Sequence, residues 1–460
     1  MTDYLQQIYQ FFKNKALNAA GAERTLLELI QDNDIARAIE LMQDRDKEVD
    51  EALKEYNPQT HEVMNRPNKS RKNANNYITE KLPRTRQRYI NEVELFFLLG
   101  KGVQWNYEEG DEEAFSLFKQ FLYEQRFDAN MRKAKRLAGA ETESAKLYHI
   151  YRNEDVNKRE IKAVVLSRST GYRLRPLFDQ YGNMVAFAYG YKLKENGKTI
   201  EHWDIQTPDF LVYSKKTALG WQTERYANPT GKINVIYYQQ RKAWDGAEQR
   251  LHREEMLDSK IGDTNNYFAD PIAAATGDVI TSMADPERPG KLIQLAGGDS
   301  KFEYINPPQN SESQRQEKIE LEKSILFDTF TPDLSFENLK GMGTLSGTAI
   351  KNAMILGFIK RDNMREIYDE MLDREKNLIL GILKYLYPNK AAAFDSLVIS
   401  HEFSEPFAID RQGETAEVAS LYQAGLMSLE TAIQKLGLTD SPEEEIARLQ
   451  ATLPQIEPKN

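Results

Sequence analysis

Between about residue 160 and residue 240 the spacing of apolar side chains changes from a helical period to a strand period, and that switch limits the fold more than any other feature of the chain. Four short runs, "IKAVVL", "MVAFAYGYKL", "FLVYS" and "INVIYY", are rich in β-branched and aromatic residues. They are separated by "DQYGN", "ENGK" and "NPTGK", which carry turn chemistry. On both sides the period is helical. Ile35, Ala38, Ile39, Met42 and Val49 share one helix face, as do Tyr89, Val93, Phe96 and Phe97 with Gly100 as a stop, so the stretch to about residue 155 reads as helical. The expected class is therefore α+β and mainly helical, with a β-rich subdomain that carries Trp203 and Trp221.

After Trp244 the helical period returns. Met256, Ile261, Thr264, Tyr267, Phe268, Ile272 and Ala275 predict one helix or a broken helix, with Pro271 as a kink or a second start. A Pro- and Gly-punctuated insert, Ala284 to Pro308, holds two β-like runs, "KLIQL" and "KFEYI". "SESQRQEKIELEKSILF", Ser311 to Phe327, predicts a helix whose first half lacks an apolar stripe and whose second half gathers Ile319, Leu321, Ile325, Leu326 and Phe327. That pattern predicts a wet first half and a packed second half, anchored by Leu326 and Phe327. A loop over Thr329 to Leu345 and a long helix to about Tyr387 follow. Near the C-terminus Ser428 reads as a helix cap, and Asp440 or Ser441 before Pro442 and three Glu reads as another helix start.

A length of 460 residues suggests about three domains of roughly 150 residues, or one elongated multi-part subunit. Hydrophobic content of 40% is enough for a core, while 29% charged residues and a mean hydropathy of -0.65 imply a large polar surface. No apolar run approaches the length of a membrane span, and "MTDYLQQIYQFF" lacks the pattern of a signal peptide. The chain has no cysteine, which removes disulfides, thiolate metal sites and thiol catalysis together. A net charge of -10 argues against static, tight binding of DNA phosphates. Two basic segments run the other way: Arg66 to Arg88, with eight Lys or Arg against one Glu, and "RKAKR", Arg132 to Arg136. Each reads either as a solvated loop or helix face, or as a contact for a partner. They support the alternative of a nucleic-acid-binding protein that uses residues 66–88 and 132–136.

No catalytic motif survives inspection. "GMGTLSGTAIKN", Gly341 to Asn352, spreads three glycines ahead of a helical pattern, but it lacks the Lys of a phosphate-binding loop and the spacing of a dinucleotide fingerprint. It reads as a hinge, with Ser346 or Thr344 capping a helix that begins near Gly347. The histidines, His61, His149, His202, His252 and His401, show no metal-ligand spacing. The expectation is no enzyme, and no catalytic, cofactor or metal residues.

At "HEVMNRPNK", "RYINEVELFFLLGKGVQW", "PLFDQYGNMVAFAYGY", "SKIGDTNNYFADPIAAATG" and "FTPDLSFENLKGMGTLSGTAIKN" the chain resembles portal proteins of tailed bacteriophages, of the long-tailed siphophage type. The motifs occur in the family's order over roughly residues 55 to 450. The resemblance implies an elongated, mainly helical portal subunit with a β-rich wing subdomain and a small β-containing clip inserted between two stem helices. It divides the chain into a wing (1–245, helical and then β-rich over 160–240), a first stem helix (246–277), a clip (278–310) and a second stem helix (311–327). A tunnel loop (328–345), a long helix returning to the wing (346–413) and a short crown (414–460) complete it.

By the same resemblance, Thr329, Pro332, Asn338, Lys340, Gly341 and Gly343 belong to the tunnel loop, Arg315, Lys318 and Lys323 to the stem, and Lys291, Asp299 and Lys301 to the clip. It implies a homo-oligomeric ring of twelve subunits at a capsid vertex of the virion, assembled in the host cytoplasm, with double-stranded DNA passing through its tunnel. Implied partners are the terminase, a head-completion or adaptor protein, and the major capsid and scaffolding proteins, with no membrane and no cofactor. The acidic balance suits such a task, since an acidic wall repels DNA over about 8 Å at physiological salt, whereas 6–10 phosphate contacts change affinity by about 10³–10⁵ over ordinary salt ranges and would oppose sliding.

Overall fold

The computed structural model describes residues 24–68, 78–153, 158–195, 197–218, 220–269, 272–280, 294–305, 311–342, 347–404, 406, 411–436, 445–446 and 448–449. Three short helices lead: α1 (Leu26–Gln31), α2 (Ile35–Glu40) and α3 (Asp46–Tyr56). Thr25 starts α1 with a capping box, its hydroxyl accepting from the Glu28 amide and its own amide donating to the Glu28 carboxylate at 2.8 Å. Next come α4 (Arg86–Leu99), β1 (Val103–Glu109), α5 (Glu112–Glu124) and α6 (Phe127–Glu141). Eight strands follow: β2 (Glu143–Asn153), β3 (Lys158–Leu166), β4 (Arg173–Phe178), β5 (Met184–Glu195), β6 (Lys198–Gln206), β7 (Phe210–Thr217), β8 (Gly220–Ala227) and β9 (Val235–Gln239).

β4 to β8 form an antiparallel meander in sequence order, and β3, β2 and β9 form a second antiparallel sheet. The meander buries both faces, which is why its central strands read as nearly continuous apolar runs. Ala186, Ala188, Trp203, Ile205 and Val212 take one face against Leu29, Ile30, Ile35 and Met42 of α1, α2 and the turn after them. Leu174, Phe187 and Tyr189 take the other, against Ala145, Leu147, Leu166, Val235 and Tyr237 of the second sheet. Gly190 lies opposite Trp203, where a Cβ would run into the indole ring.

The remaining elements are α7 (Glu248–Ala269), β10 (Ile272–Ile280), β11 (Gln294–Ile305), α8 (Ser311–Asp328), α9 (Phe336–Met342), α10 (Gly347–Ala353), α11 (Ile355–Leu386), α12 (Ala391–Ser396), β12 (Val398–Phe403), α13 (Arg411–Gln423) and α14 (Leu429–Leu436). The largest core joins α4, α5 and α6 to α11 and to the second sheet through Leu98, Phe118, Met131, Tyr148, Tyr238, Tyr368, Leu372 and Ile379. Ser428 does cap α14, accepting from the Thr431 amide at 3.2 Å. The helix start expected at Asp440 or Ser441, and the caps expected at Thr344 and Ser346, lie outside the described residues.

Four sequence expectations change. First, the stretch to residue 155 is not wholly helical. β1 pairs antiparallel with β12, about three hundred residues further on, so its partner is invisible to local periodicity. β2 is the centre of a three-stranded sheet, and Lys146 buried in its middle breaks the apolar run that would have announced it. Second, the helix expected over 246–277 ends at Ala269, and Ile272 and Ala275 lie in β10, just after Pro271, which has no amide to continue a helix. Third, "KFEYI" and the last two residues of "KLIQL" fall in the single strand β11, whose antiparallel partner is β10, so the strand pair begins before the expected insert. Fourth, the loop expected over Thr329 to Leu345 contains α9.

Candidate functional site

Among the described residues the informative region is the α7–α8 pair, which lies on either side of the β10–β11 strand pair in sequence. The two helices run antiparallel: Arg250 pairs with Asp328 at one end, and Lys318 meets Asp258 at 2.8 Å further along. Arg253 adds a contact to Glu317 at 2.7 Å. Glu312, Arg315, Gln316, Ile319 and Glu320 of α8 are exposed, while Ile325 and Leu326 are buried. Ile325 packs with Ile90, Ala243, Trp244, Ala247 and Leu251. Phe327 points out and is 66% exposed, so the expected apolar anchor shifts to Ile325 and Leu326. The reason is helical phase, because Phe327 stands about 100° from Leu326 around the axis.

α7 buries an unusual row of polar groups: Glu254, Glu255, Asp258, Ser259 and Asp263. The basic segment supplies their partners. Arg66 meets Asp263 at 2.8 Å, Arg84 meets Asp258, and Arg86 bridges Glu254 at 3.1 Å and Glu322 of α8 at 2.6 Å. Backbone amides join in, with Glu80 donating to Asp263 at 2.7 Å, Leu82 to the Ser259 hydroxyl at 3.0 Å and Arg84 to Glu255 at 2.8 Å. In the second basic cluster Lys135 is fully buried against Glu94, while Lys133 and Arg136 are exposed and Arg136 pairs with Glu92 at 2.5 Å on the surface. These arginines and this lysine are engaged by intramolecular carboxylates and are not available to phosphates, whereas Arg88 and Lys133 are exposed. Lys69, Arg71 and Lys72 lie outside the described residues.

The residues expected in the loop after α8 divide. Thr329 is buried, and its hydroxyl donates to the Ile325 carbonyl at 2.8 Å. The Pro332 carbonyl accepts from the Tyr89 hydroxyl at 2.9 Å, and the same hydroxyl accepts the Leu334 amide at 2.8 Å. Asn338 donates to Asp333 at 2.6 Å, and Lys340 is exposed. Gly341 lies in α9, not in a loop, and Gly343 lies outside the described residues. The C-terminal end of α8 closes with the paired backbone bonds of a Schellman motif, Thr331 to Leu326 at 2.8 Å and Phe330 to Phe327 at 3.0 Å. Phe330 holds the left-handed position of that motif at φ 49°, where glycine is usual.

Of the stem residues, Lys318 is paired as above, while Arg315 and Lys323 are exposed. Of the clip residues, Lys301 pairs in register with Thr276, Asp299 lies in the bulge between Lys301 and Ala296, and Lys291 is outside the described residues.

Sequence reasoning missed the charges that fasten α11 to the body. Glu94 sits between Lys135 and Lys360, with the Lys360 ammonium 3.3 Å away. Burial alone would push the Glu94 carboxyl up, but the two ammonium groups outweigh it and hold it at about 2. Glu375 of α11 receives Lys146 at 2.7 Å and the Tyr148 and Tyr238 hydroxyls in a fully buried cluster. Burial pushes the Lys146 ammonium below its ordinary range, and the Glu375 charge opposes that shift. No local signal marks these residues, because Glu and Lys at helical spacing normally read as solvated. Among the described residues, no cluster of His, Asp and Glu is arranged to hold a metal ion, and no helix is long and apolar enough to cross a membrane.

Comparison with known proteins adds a frame to this geometry. Residues 32–459 match the family described as phage portal protein, SPP1 Gp6-like. No curated protein sequence matches the chain. Solved structures similar to it include the neck of an empty gene transfer agent particle computed with C6 symmetry, at 10% identity and a TM-score of 0.43, covering 77% of this chain and 90% of that one. The neck of the native particle computed with C12 symmetry gives 10% identity and a TM-score of 0.42, over 78% and 91% of the two chains. The virion of the native particle gives 11% identity and a TM-score of 0.41, over 77% and 89%.

Proposed function

The chain belongs to the family of phage portal proteins of the SPP1 Gp6-like type, and from that premise we propose how its parts divide the work of a portal ring. A portal protein forms the ring at the capsid vertex through which phage DNA is packaged and ejected. The observation that carries this reading is the family match over residues 32–459, nearly the whole chain.

In the proposed arrangement twelve copies close head to tail, as heterologous contacts do when the rotation permits. Double-stranded DNA passes through the centre. The strand pair β10–β11 and its connection form the clip, which docks the terminase during packaging and a head-completion protein afterwards. The segment from Thr329 to Leu345 faces the tunnel. Major capsid and scaffolding proteins surround the wing, and the assembled ring resides in the virion.

Two features support this division. α7 and α8 are held to each other and to the body by ion pairs rather than by a thick apolar layer, which suits a narrow stem. Arg66, Arg84, Arg86, Lys135 and Arg136 of the basic segments are paired with carboxylates of the same chain, which reduces the cationic surface at those places against an overall charge of -10. A polymer that must slide is better served by weak repulsion than by phosphate contacts.

Mass photometry and negative-stain microscopy of the purified chain and of capsid-derived material test the reading. Closed rings of about twelve subunits are expected from heterologous closure. Monomers or two-fold dimers in both preparations would overturn it.

A further inference from the structure

The root of α7 holds a second device that portal function does not require. His61 lies between two single-turn 3-10 helices, Pro58–Thr60 and Glu62–Asn65, and is 6% exposed. Its Nδ1 is 2.6 Å from Glu255 Oε1 of α7, and its Nε2 is 2.7 Å from the backbone carbonyl of Glu55 at the end of α3. A carbonyl oxygen only accepts. Glu255 Oε1 already accepts the Arg84 amide at 2.8 Å, as an ionised carboxylate does. A neutral imidazole carries one N–H and can serve one of these acceptors, whereas the imidazolium carries two and serves both. Turning the ring over does not help, since it would present carbon to both oxygens. One residue along, Glu62 faces His252 of α7 at 3.5 Å, so a His-Glu pair in the segment meets a Glu and a His one turn apart on the helix.

We infer that His61 is a buried imidazolium that clasps the 57–65 segment and the end of α3 to α7, and that loss of its proton opens this joint.

The surroundings favour the cation from most sides. Its own segment presents Glu62. From α3 come Lys54 and Glu55, whose carboxylate is engaged by Lys242 at 2.7 Å and by the Trp244 indole at 2.7 Å. From α7 come Glu248, His252 and Glu255, and Arg84 approaches through its amide. Burial opposes the charge on His61, while the Glu255 carboxylate and the Glu55 carbonyl outweigh it and raise the ring above its ordinary 6.5. The sign follows from linkage. The stabilisation is fully present below the unfolded value and disappears as pH rises through the folded one. At that point one of the two hydrogen bonds must break, which frees either α3 or α7.

Histidine Cε1 hydrogen exchange read by mass spectrometry, on the full chain between pH 5 and pH 10, measures each ring separately. His61 should show a half-point above the ordinary value of 6.5. His149, which burial pushes below its ordinary value, serves as the internal reference. Backbone amide exchange over 57–65 and the first turns of α7, corrected for intrinsic rates, should rise above the His61 half-point. Glu255→Gln should lower that half-point by at least about one unit and raise exchange in the same two segments at pH 7. A wild-type half-point at or below the ordinary value overturns the proposal whether or not the variant folds. So does a folded variant in which the half-point stays where it was.

Discussion

Replacing Glu94 by Gln tests whether buried charge, and not only the surrounding apolar contact, holds α11 against the body. Glu94 is 2% exposed and lies between Lys135 at 0% and Lys360 at 6%. Gln keeps the volume and one acceptor oxygen but removes the charge that compensates two ammonium groups. Taking one partner from a buried pair costs about 3–5 kcal/mol. The lysines set a ceiling, because one of them can shed its proton instead. Discharging a lysine of ordinary pKa at pH 7 costs about 5 kcal/mol, and that cost falls by about 1.4 kcal/mol for each pH unit of increase. Burial already lowers the Lys360 ammonium and Glu94 opposes that shift, so in the variant the Lys360 pKa falls further, and between that value and the unfolded one the folded state binds fewer protons. The variant's stability relative to wild type therefore rises with pH. Urea unfolding followed by circular dichroism, at fixed protein concentration and ionic strength, should give a loss of about 3–5 kcal/mol at pH 7 that shrinks to about 1–2 kcal/mol at pH 9.5. A loss below about 1 kcal/mol at pH 7 would refute the reasoning. So would an equal loss at both pH values, since a packing defect has no reason to depend on protons.

Three further outcomes are expected. Gly357→Ala places a Cβ against the Phe97 ring where α4 and α11 cross, and should cost about 1–3 kcal/mol in the same urea assay, whereas Gly381→Ala, whose Cβ meets only Lys232 and the Thr230 carbonyl at 3.5 Å or more, should not destabilise. Lys318→Glu sets a carboxylate beside Asp258 and should lower stability by about 1 kcal/mol at low salt and less at high salt, while Arg315→Glu on the exposed face should leave unfolding unchanged and show itself only in DNA retention by assembled particles. Burial pushes the Glu143 carboxyl up to about 7, against the Tyr237 hydroxyl and Arg45 that favour its charge. A raised carboxyl stabilises the fold below its unfolded value of 4.5 and loses that contribution as pH rises through 7, so Glu143→Gln should match wild type in acid and be more stable by about 1–3 kcal/mol at pH 8, as read from thermal midpoints.

What the sequence determined by itself is whatever repeats within a few residues. The four period-2 runs over 160–240 became β3, β5, β7 and β9, and the apolar period through Phe358, Tyr368, Leu372 and Ile379 became α11. The polar face of Ser311 to Phe327 announced a helix wet along its first half, and Ser428 announced the start of α14 through a bond to its own next turn. The ordered motifs were enough to point to the portal family. What only the tertiary structure decided depends on groups far apart in the chain. β1 reads as nothing in particular until β12 arrives to pair with it. The alanines and threonine of β10 satisfy a helical period as well as a strand period, and only hydrogen bonds to β11 choose between them. Arg66, Arg84, Arg86 and Lys135 look in the sequence like a surface for an acidic partner, and the partner turned out to be α7 and Glu94 of the same chain. A charge carries no local mark of whether water or a folded carboxylate will solvate it. That is settled by which helices the apolar residues bring together, and so the burial of these ions follows from the packing of the core around Phe97, Tyr148, Tyr238 and Tyr368 rather than from any motif in which they stand.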